Sequence, residues 1–260
     1  MTDEIYEAVV LGIIQGITEF FPISSTAHLI LVPWFLGWHG LVDSLSFDVA
    51  LHAGTLLALL VCFWRDWLEI IFNKKPKMLG LIIVTMVPAG AAGVLFKKTI
   101  EHALRSPLVI AGSLIVIAGI MFIAERAGNK MKNSGDVGFF DAVILGVSQA
   151  LALIPGVSRS GITTAAGMFL GLRREESARF SFLMSTPVIA GAALLEGRHI
   201  IHAGDADLHV MGVGVLASFI VGVVAIKVLL KYFKNHSMDV FVYYRVVLAA
   251  VIITGIWLKN

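Results

Sequence analysis

The composition of this 260-residue chain excludes an ordinary soluble protein. Hydrophobic residues make up 58% of the sequence, charged residues 15%, and the mean hydropathy is +0.88, whereas soluble domains contain about 45–50% apolar residues. The 20 Lys and Arg nearly balance the 18 Asp and Glu, so the charge gives no indication of a nucleic-acid partner. The sequence therefore predicts a single integral membrane domain over residues 1–260.

Eight apolar segments predict the membrane helices in chain order. They lie at 7–36, 47–64, 78–96, 107–125, 139–170, 179–196, 209–230 and 240–258. The first and the fifth are too long for one crossing, and each contains a polar stretch with a proline, FFPISSTAH at 20–28 and IPGVSRSGITT at 154–164. Because proline, serine and glycine favour turns and helix starts, each of these two segments is predicted to form helix, loop and helix.

The halves of these two segments are short for membrane crossings. Each half has about 12–15 residues, fewer than the ~20 needed to span a bilayer. This length favours re-entrant hairpins, which enter the membrane and return to the same side, over the alternative of two tilted crossings joined by a surface loop. The predicted fold is an all-α polytopic membrane protein with six transmembrane helices and two re-entrant helical hairpins.

The two hairpin segments also resemble each other, which indicates an internal duplication. Residues 7–25 match residues 141–159 at a constant offset of 134. The match pairs Ala8 with Ala142, Leu11 with Leu145, Gly12 with Gly146, Gln15 with Gln149 and Ser24 with Ser158. Three single crossings separate the hairpins, and an odd number turns the second copy upside down. The copies, about 7–125 and 139–258, are therefore predicted to form an inverted-topology repeat whose hairpins oppose each other.

The distribution of basic residues predicts the orientation in the membrane. With this topology, thirteen Lys and Arg lie on one side and five on the other. The five are Lys97, Lys98, Arg105, Arg198 and Lys259. By the positive-inside rule, the connections around 65–77, 126–138, 171–178 and 231–239 are cytoplasmic. The first hairpin then enters from outside and the second from inside, and their tips meet near the midplane.

The first hairpin tip carries the residues that chemistry would need. Gln15 and Glu19 share one helix face, and an acid at membrane depth normally faces a cavity and has a functional role. Its alternative role is a structural ion pair or interhelical hydrogen bond. Ser24, Ser25, Thr26 and His28 follow within one or two turns and add three hydroxyls and an imidazole. Together with Glu19 they indicate a set of nucleophile and base.

The second tip has the features of an anion site. Gly156, Ser158, Arg159 and Ser160 lie where a helix begins, and Thr163 follows one turn later. Backbone N–H groups at a helix start attract phosphate, and an arginine adds a charged fork of donors. The alternative is that Arg159 only neutralises Glu19.

Three further polar residues invite interpretation. Asp48 and His52 lie one turn apart and are expected either to line the site or to pair with each other. Arg245 lies near the predicted cytoplasmic end of the last span, where we interpret it as a side chain that extends to the interface.

These motifs resemble the bacterial undecaprenyl-pyrophosphate phosphatase family of the bacitracin-resistance type. The resemblance lies in Gln15-x-x-x-Glu19 followed by FFPISSTAH, in FDVALHAGT at 47–55, and in PGVSRSGIT at 155–163. It covers nearly the whole chain. It implies removal of the terminal phosphate from a C55 polyprenyl pyrophosphate in the bacterial inner membrane, with the active site open to the outer, periplasmic face.

The resemblance also implies roles for individual residues. Glu19 is the essential acid, Ser25 the proposed nucleophile, His28 the family's histidine and Arg159 the phosphate-binding arginine. The side chains expected to bind substrate around them are Gln15, Ser24, Thr26, Gly156, Ser158, Ser160 and Thr163.

The family's enzymes depend on a divalent metal. Mg²⁺ is the expected ion and Ca²⁺ a second candidate, held by Glu19 and Gln15 together with waters and phosphates. Some members have Glu where this chain has Gln15, so a cage of two carboxylates is in doubt here.

Several alternatives stay open from the sequence. The reaction either passes through a phosphoseryl intermediate at Ser25 or uses a metal-activated water directly. A secondary transporter or lipid-translocating protein with the same inverted-repeat site is the rival function. Membrane lipids and the polyprenyl pyrophosphate are the expected partners, and Gly90 and Gly93 would permit close packing within the chain or in a homodimer.

Overall fold

In a computed structural model, the described residues (2–72, 76–96, 99, 104–127, 129–203 and 207–259) form eleven α-helices and no strand longer than an isolated bridge. The helices are α1 Thr2–Thr18, α2 Ser25–Leu36, α3 Leu45–Cys62, α4 Trp64–Phe72, α5 Pro76–Leu95, α6 Pro107–Ala127, α7 Phe139–Leu151, α8 Arg159–Phe169, α9 Arg174–Ala203, α10 Leu208–Asn235 and α11 Asp239–Lys259. Six of these, α3, α5, α6, α9, α10 and α11, are long and apolar enough to cross a membrane. The prediction of an all-α polytopic protein with six crossings is confirmed.

The other long apolar segments are each divided into two helices. The helices α2, α7 and α8 have 12, 13 and 11 residues, which correspond to about 16–20 Å, well short of a ~30 Å hydrocarbon core. The breaks are narrower than predicted, because α2 already begins at Ser25 and α8 at Arg159. The re-entrant path of each pair and the inverted repeat stay predictions.

The two breaks have the same local backbone geometry. Ser24 and Ser158 precede α2 and α8 with φ/ψ of 75°/99° and 70°/110°, values that non-glycine residues adopt only at a cost of roughly 1–3 kcal/mol. Each serine hydroxyl accepts a hydrogen bond from a backbone N–H three residues later, at 3.4 Å from Ala27 and 3.2 Å from Gly161. Each serine is thus the N-cap that starts the second helix of its pair.

Two phenylalanines anchor the first break. Phe20 is 1% exposed and lies edge-on to Phe182 of α9, with ring centroids 5.4 Å apart. Phe21 makes a similar contact with Phe241 of α11 at 5.5 Å. Edge-to-face aromatic pairs add to the hydrophobic stabilisation, so the turn is fixed against two different spans.

The first helix of each divided segment packs against a span of the other half of the chain. The helix α1 lies on α10, and α7 lies on α5. Gly12 of α1 faces the carbonyl oxygen of Gly214, and a Cβ at Gly12 would lie 2.5 Å from it. Gly146, its partner in the sequence repeat, faces the carbonyl oxygen of Thr85 in α5, and a Cβ at Gly146 would lie 2.9 Å from that oxygen. Only glycine allows these close approaches between helices.

The structure adds a helix to one connection, and it shows that the interpretation of Arg245 was wrong. The connection at 65–77 contains the helix α4, whose exposed Trp64, Leu68 and Ile71 recur at helical spacing and form an apolar face. Arg245 does not extend to the interface, because its side chain is completely buried and donates to backbone carbonyls inside the protein.

Ion pairs connect the helix ends that are predicted, from the distribution of basic residues, to lie on the cytoplasmic side. Arg126 at the end of α6 pairs with Asp239 at the start of α11 at 3.0 Å, and Lys234 of α10 pairs with Glu175 of α9 at 3.4 Å. These ends therefore lie on one side of the bundle. Which side of a membrane this is stays a prediction.

Candidate active site

A cavity of about 290 Å³ lies where the two breaks meet the spans. Its walls come from the end of α1, the start of α2, the first half of α3, the end of α7, the start of α8 and the middle of α9. The predicted site residues that line it are Glu19, Ser24, Ser25, Thr26, Ser158 and Arg159. Both hairpin segments thus contribute to one cavity.

Glu19 and Ser25 are in direct contact in this cavity. The Ser25 hydroxyl donates to Glu19 Oε2 at 2.6 Å, and Gln15 Nε2 donates to the same oxygen at 3.2 Å. Ser25 is the first residue of α2, and Glu19 lies in the turn directly after α1. A carboxylate that accepts from a hydroxyl is placed to take its proton when that oxygen attacks an electrophile.

Arg159 brings a positive charge from the second half of the chain to the same carboxylate. Its Nη2 contacts Glu19 Oε1, on the opposite oxygen from Ser25. Glu19 is 7% exposed, and a buried carboxylate requires such hydrogen-bonded charge compensation. Arg159 also lines the cavity. Because its guanidinium has five N–H donors, Arg159 can contact Glu19 and a ligand in the cavity at the same time.

His52 is the imidazole next to the acid. Its Nε2 lies 3.5 Å from Glu19 Oε2, and its Nδ1 lies 2.7 Å from the carbonyl of Asp48. A carbonyl only accepts, so Nδ1 carries a hydrogen and Nε2 is the nitrogen that can take up a proton beside Glu19. Asp48 does not pair with His52 through its side chain but with Arg105, at 3.2 Å. All three residues line the cavity.

His28 lies outside the cavity lining and has other partners. Its Nδ1 lies 2.7 Å from the carbonyl of Ser24, and its Nε2 lies 2.7 Å from the Tyr244 hydroxyl, with the two rings stacked. By the same reasoning Nδ1 donates, so Nε2 accepts from the tyrosine. Both nitrogens of His28 are engaged, and its participation in proton transfer stays a prediction.

The remaining residues of the second tip hold the site together. Ser160 Oγ donates to the carbonyl of Phe21 at 3.1 Å, which joins the two turns. Thr163 Oγ1 donates to the carbonyl of Arg159 at 2.6 Å and lies 2.6 Å from Ser181 Oγ. The carbonyl of Gly156 accepts from Arg245. Gly156, Ser160 and Thr163 are not among the residues that line the cavity, and their role in substrate binding stays a prediction.

Gln149 is a cavity residue that the motif analysis did not single out. It is 2% exposed, its Nε2 donates to the carbonyl of Thr85 at 3.2 Å, and its Oε1 has no hydrogen-bond partner among the described residues. Gln15 Oε1 is buried without a partner in the same way. The sequence contained a signal for Gln149 as a site residue, because the repeat pairs it with Gln15.

The fold and the cavity together define a class: a polytopic helical membrane protein with an acid, a hydroxyl and a guanidinium in one cavity, the types of group that phosphoryl transfer uses. The comparison with known proteins gives the particular family. A family model described as bacitracin resistance protein BacA matches residues 8–251. The chain belongs to this family, and the resemblance found in the motifs is confirmed.

Relatives match along nearly their entire length. The undecaprenyl-diphosphatase of Thermodesulfovibrio yellowstonii is 51% identical over 259 residues, which cover 99% of this chain and 100% of the relative. Proteins with the same name from Moorella thermoacetica and Desulforudis audaxviator are 46% and 43% identical, with at least 95% of each chain covered.

Proposed function

We propose that this chain is a membrane phosphatase that hydrolyses undecaprenyl diphosphate to undecaprenyl phosphate and inorganic phosphate. The observation that carries the proposal is the contact of Ser25 and Arg159 with opposite oxygens of Glu19 in one cavity. The near full-length identity to undecaprenyl-diphosphatases supports it. A transporter needs no such hydroxyl beside a carboxylate, so the rival function is not favoured.

The first step uses the contacts already formed around Glu19. Ser25 Oγ attacks the terminal phosphorus, and its proton passes to Glu19 Oε2, 2.6 Å away. The Oγ–P bond forms as the bond between phosphorus and the bridging oxygen breaks, and the bridging oxygen keeps the electron pair as polyprenyl phosphate. Arg159 stabilises the charge that spreads over the phosphoryl oxygens.

The second step returns the enzyme to its starting state. A water oxygen bonds to the phosphorus, the P–Oγ bond breaks, and Glu19 gives its proton back to Ser25. One water hydrogen stays on the released phosphate. The other passes to His52, whose Nε2 lies 3.5 Å from the carboxylate, and His52 then gives this proton to solvent, so that every enzyme group regains its starting protonation. In the competing mechanism a water attacks the terminal phosphorus directly, and Ser25 only orients the phosphate.

The residues present are compatible with a divalent cation that is held largely by the substrate. The described residues contain no group of three or more His, Cys, Asp and Glu that could hold a metal, and Glu19 is the one carboxylate at the reacting hydroxyl. The buried, unpartnered Oε1 atoms of Gln15 and Gln149 are hard oxygen donors of the kind that Mg²⁺ accepts beside phosphates and water. Glu19 would hold such an ion at the cavity, and the ion would offset phosphate charge. Gln15, the other predicted ligand, donates to Glu19 through Nε2 but is not among the residues that line the cavity, so its part in holding the ion stays a prediction.

The surroundings of the cavity suit a lipid substrate that approaches from outside. Val188, Ile189 and Ala192 of α9 form an apolar wall beside the polar cluster, which can receive the first part of a polyprenyl chain. Asp48 near the start of α3 and Arg105 before α6 line the cavity from the side with few basic residues. Together with the predicted charge distribution, this supports our proposal that the site of this bacterial inner-membrane protein opens to the periplasm. A homodimer stays a prediction.

The test is phosphate release from undecaprenyl diphosphate by purified protein in detergent, with Mg²⁺, with Ca²⁺ and with EDTA. We expect EDTA to abolish phosphate release. We expect Glu19→Gln and Ser25→Ala each to lower the rate of release by about 10²- to 10⁴-fold. An acid-quenched sample should carry phosphate on Ser25. Ser148→Ala is the matched control, because Ser148 is buried, donates only to carbonyls of its own helix α7 and does not line the cavity.

Each part of the proposal can fail separately. Near-normal turnover by Ser25→Ala would exclude the phosphoseryl step and favour direct attack by water. Full activity in EDTA would exclude the metal. Folded wild-type protein that releases no phosphate would contradict the phosphatase and revive the transporter.

A further inference from the structure

Arg245 of α11 is the largest fully buried side chain of the described residues, and its contacts join the two turns of the site. Its Nη1 donates to the carbonyl of Pro22 at 3.2 Å, and its Nη2 donates to the carbonyls of Gly156 and Val157 at 2.7 and 3.1 Å. Its Nε donates to the carbonyl of Leu114 in α6 at 3.3 Å. One planar group thus holds both breaks and a neighbouring span.

The carbonyls of Pro22, Gly156 and Val157 need a donor because the chain is outside its helices at these residues. A carbonyl at the end of a helix has no partner in the next turn, and a buried one without a donor is costly. The guanidinium supplies donors in a rigid fork. Pro22 precedes Ser25 by three residues, and Val157 precedes Arg159 by two. The fork therefore fixes the peptide segments that carry the hydroxyl and the phosphate-binding arginine.

The charge of Arg245 has no other evident purpose. No carboxylate among the described residues forms an ion pair with it, so backbone dipoles alone compensate a cation that is 0% exposed. It is not among the residues that line the cavity, and its guanidinium donates to backbone carbonyls instead. A buried cation of this kind is expensive compared with an apolar side chain of similar size.

We propose that Arg245 is a positioning residue for phosphoryl transfer: it sets the place of Ser25 relative to Arg159 without touching the substrate. The proposal rests on the proposed function. A displacement of about 1 Å at reacting groups can lower a rate by about 10²-fold. Lysine cannot replace the fork, since its single ammonium cannot hold carbonyls of both turns in the same plane.

The kinetic test compares wild type with Arg245→Lys and Arg245→Ala. We expect kcat to fall by about 10²-fold, KM to stay within about threefold, and guanidinium ion added to Arg245→Ala to restore part of kcat. Arg126→Lys is the control, because Arg126 also donates to a backbone carbonyl and to Asp239 but lies far more exposed, with 47% of its side chain accessible. Unchanged kcat, or a rise in KM alone, would overturn the proposal.

A second measurement does not depend on activity. In a Cys62→Ser background, Ser25→Cys with Arg159→Cys is treated with bifunctional thiol reagents of graded length. When Arg245 is present, we expect a reagent of one length to cross-link the two cysteines in much higher yield than the others. With Arg245→Lys, we expect several lengths to give similar cross-linking yields. The same profile in both would overturn the positioning role. A change of profile without wild-type phosphate release would keep the positioning role and reject the proposed function. If no variant folds, Arg245 is a folding residue and the proposal is wrong.

Discussion

His28 and His52 illustrate how neighbours decide which histidine can exchange a proton at the site. His52 presents Nε2 to Glu19 at 3.5 Å within the cavity, whereas both nitrogens of His28 are bound by Ser24 and Tyr244. Acid–base catalysis requires a nitrogen within reach of the reacting proton, directly or through one water. The geometry therefore favours His52 for this role.

We predict that His52→Gln lowers kcat by about 10²-fold, in the range of general acid–base catalysis. His28→Gln should cost less, because Gln can still donate to the Ser24 carbonyl. The measurement is phosphate release at saturating substrate, with His39→Gln as the control for an exposed histidine in the loop after α2. A normal His52→Gln enzyme beside an inactive, folded His28→Gln enzyme would assign the role to His28.

The motif residues were predictable and several of their neighbours were not. Glu19, Ser25 and Arg159 stand out because polar residues are costly in apolar segments, and the structure joins all three. The role of Arg245 was not readable. It lies six residues after the start of α11, about 9 Å along the helix, which is within reach of an interface for a long side chain. Only the packing of α11 against both turns shows that it points inward.

Among the helices, the glycine contacts of α1 and α7 determine how the short pairs pack. Gly12 and Gly146 occupy matching positions and face carbonyls of α10 and α5. The sequence predicted the spans because twenty apolar residues are an unmistakable signal. It did not predict which span each short pair packs against, because hydropathy says nothing about which small residues approach a neighbour's backbone.

We predict that Gly12→Ala destabilises the protein by about 1–3 kcal/mol, the usual cost of overpacking. The new Cβ would lie 2.5 Å from the Gly214 carbonyl oxygen and 2.8 Å from Ala217 Cβ. Thermal unfolding in detergent measures the change. Gly90→Ala is the control: a Cβ there meets nothing within 4 Å, and Ala favours the helix by up to about 1 kcal/mol. Equal melting temperatures for the two variants would contradict this packing.

At the level of the whole molecule, the ion pairs and the basic residues agree on a two-sided bundle. The pairs Arg126–Asp239 and Lys234–Glu175 lie at one end, and Arg105–Asp48 lies at the other, beside the cavity. The end with more basic residues is predicted to face the cytoplasm. The cavity would then open to the outside.

We predict opposite labelling of two single cysteines placed in a Cys62→Ser background. His39→Cys, in the loop between α2 and α3, should react with a membrane-impermeant maleimide in intact spheroplasts. Met131→Cys, in the exposed connection between α6 and α7, should react only after permeabilisation. The reverse labelling pattern would show that the orientation in the membrane is opposite to the predicted one. Labelling of both cysteines in intact spheroplasts would contradict the crossings assigned to α3, α5 and α6.

The matching turns before α2 and α8 leave neither half of the chain with a complete site. The first residues after the two capping serines occupy equivalent places 134 positions apart, yet one is Ser25 and the other Arg159. A symmetric pair of identical halves would present two hydroxyls or two guanidiniums there. Because both halves belong to one chain, the hydroxyl stands after one capping serine and the cation after the other. The two sequence-related halves therefore contribute different groups, a hydroxyl and a guanidinium, to the same cavity.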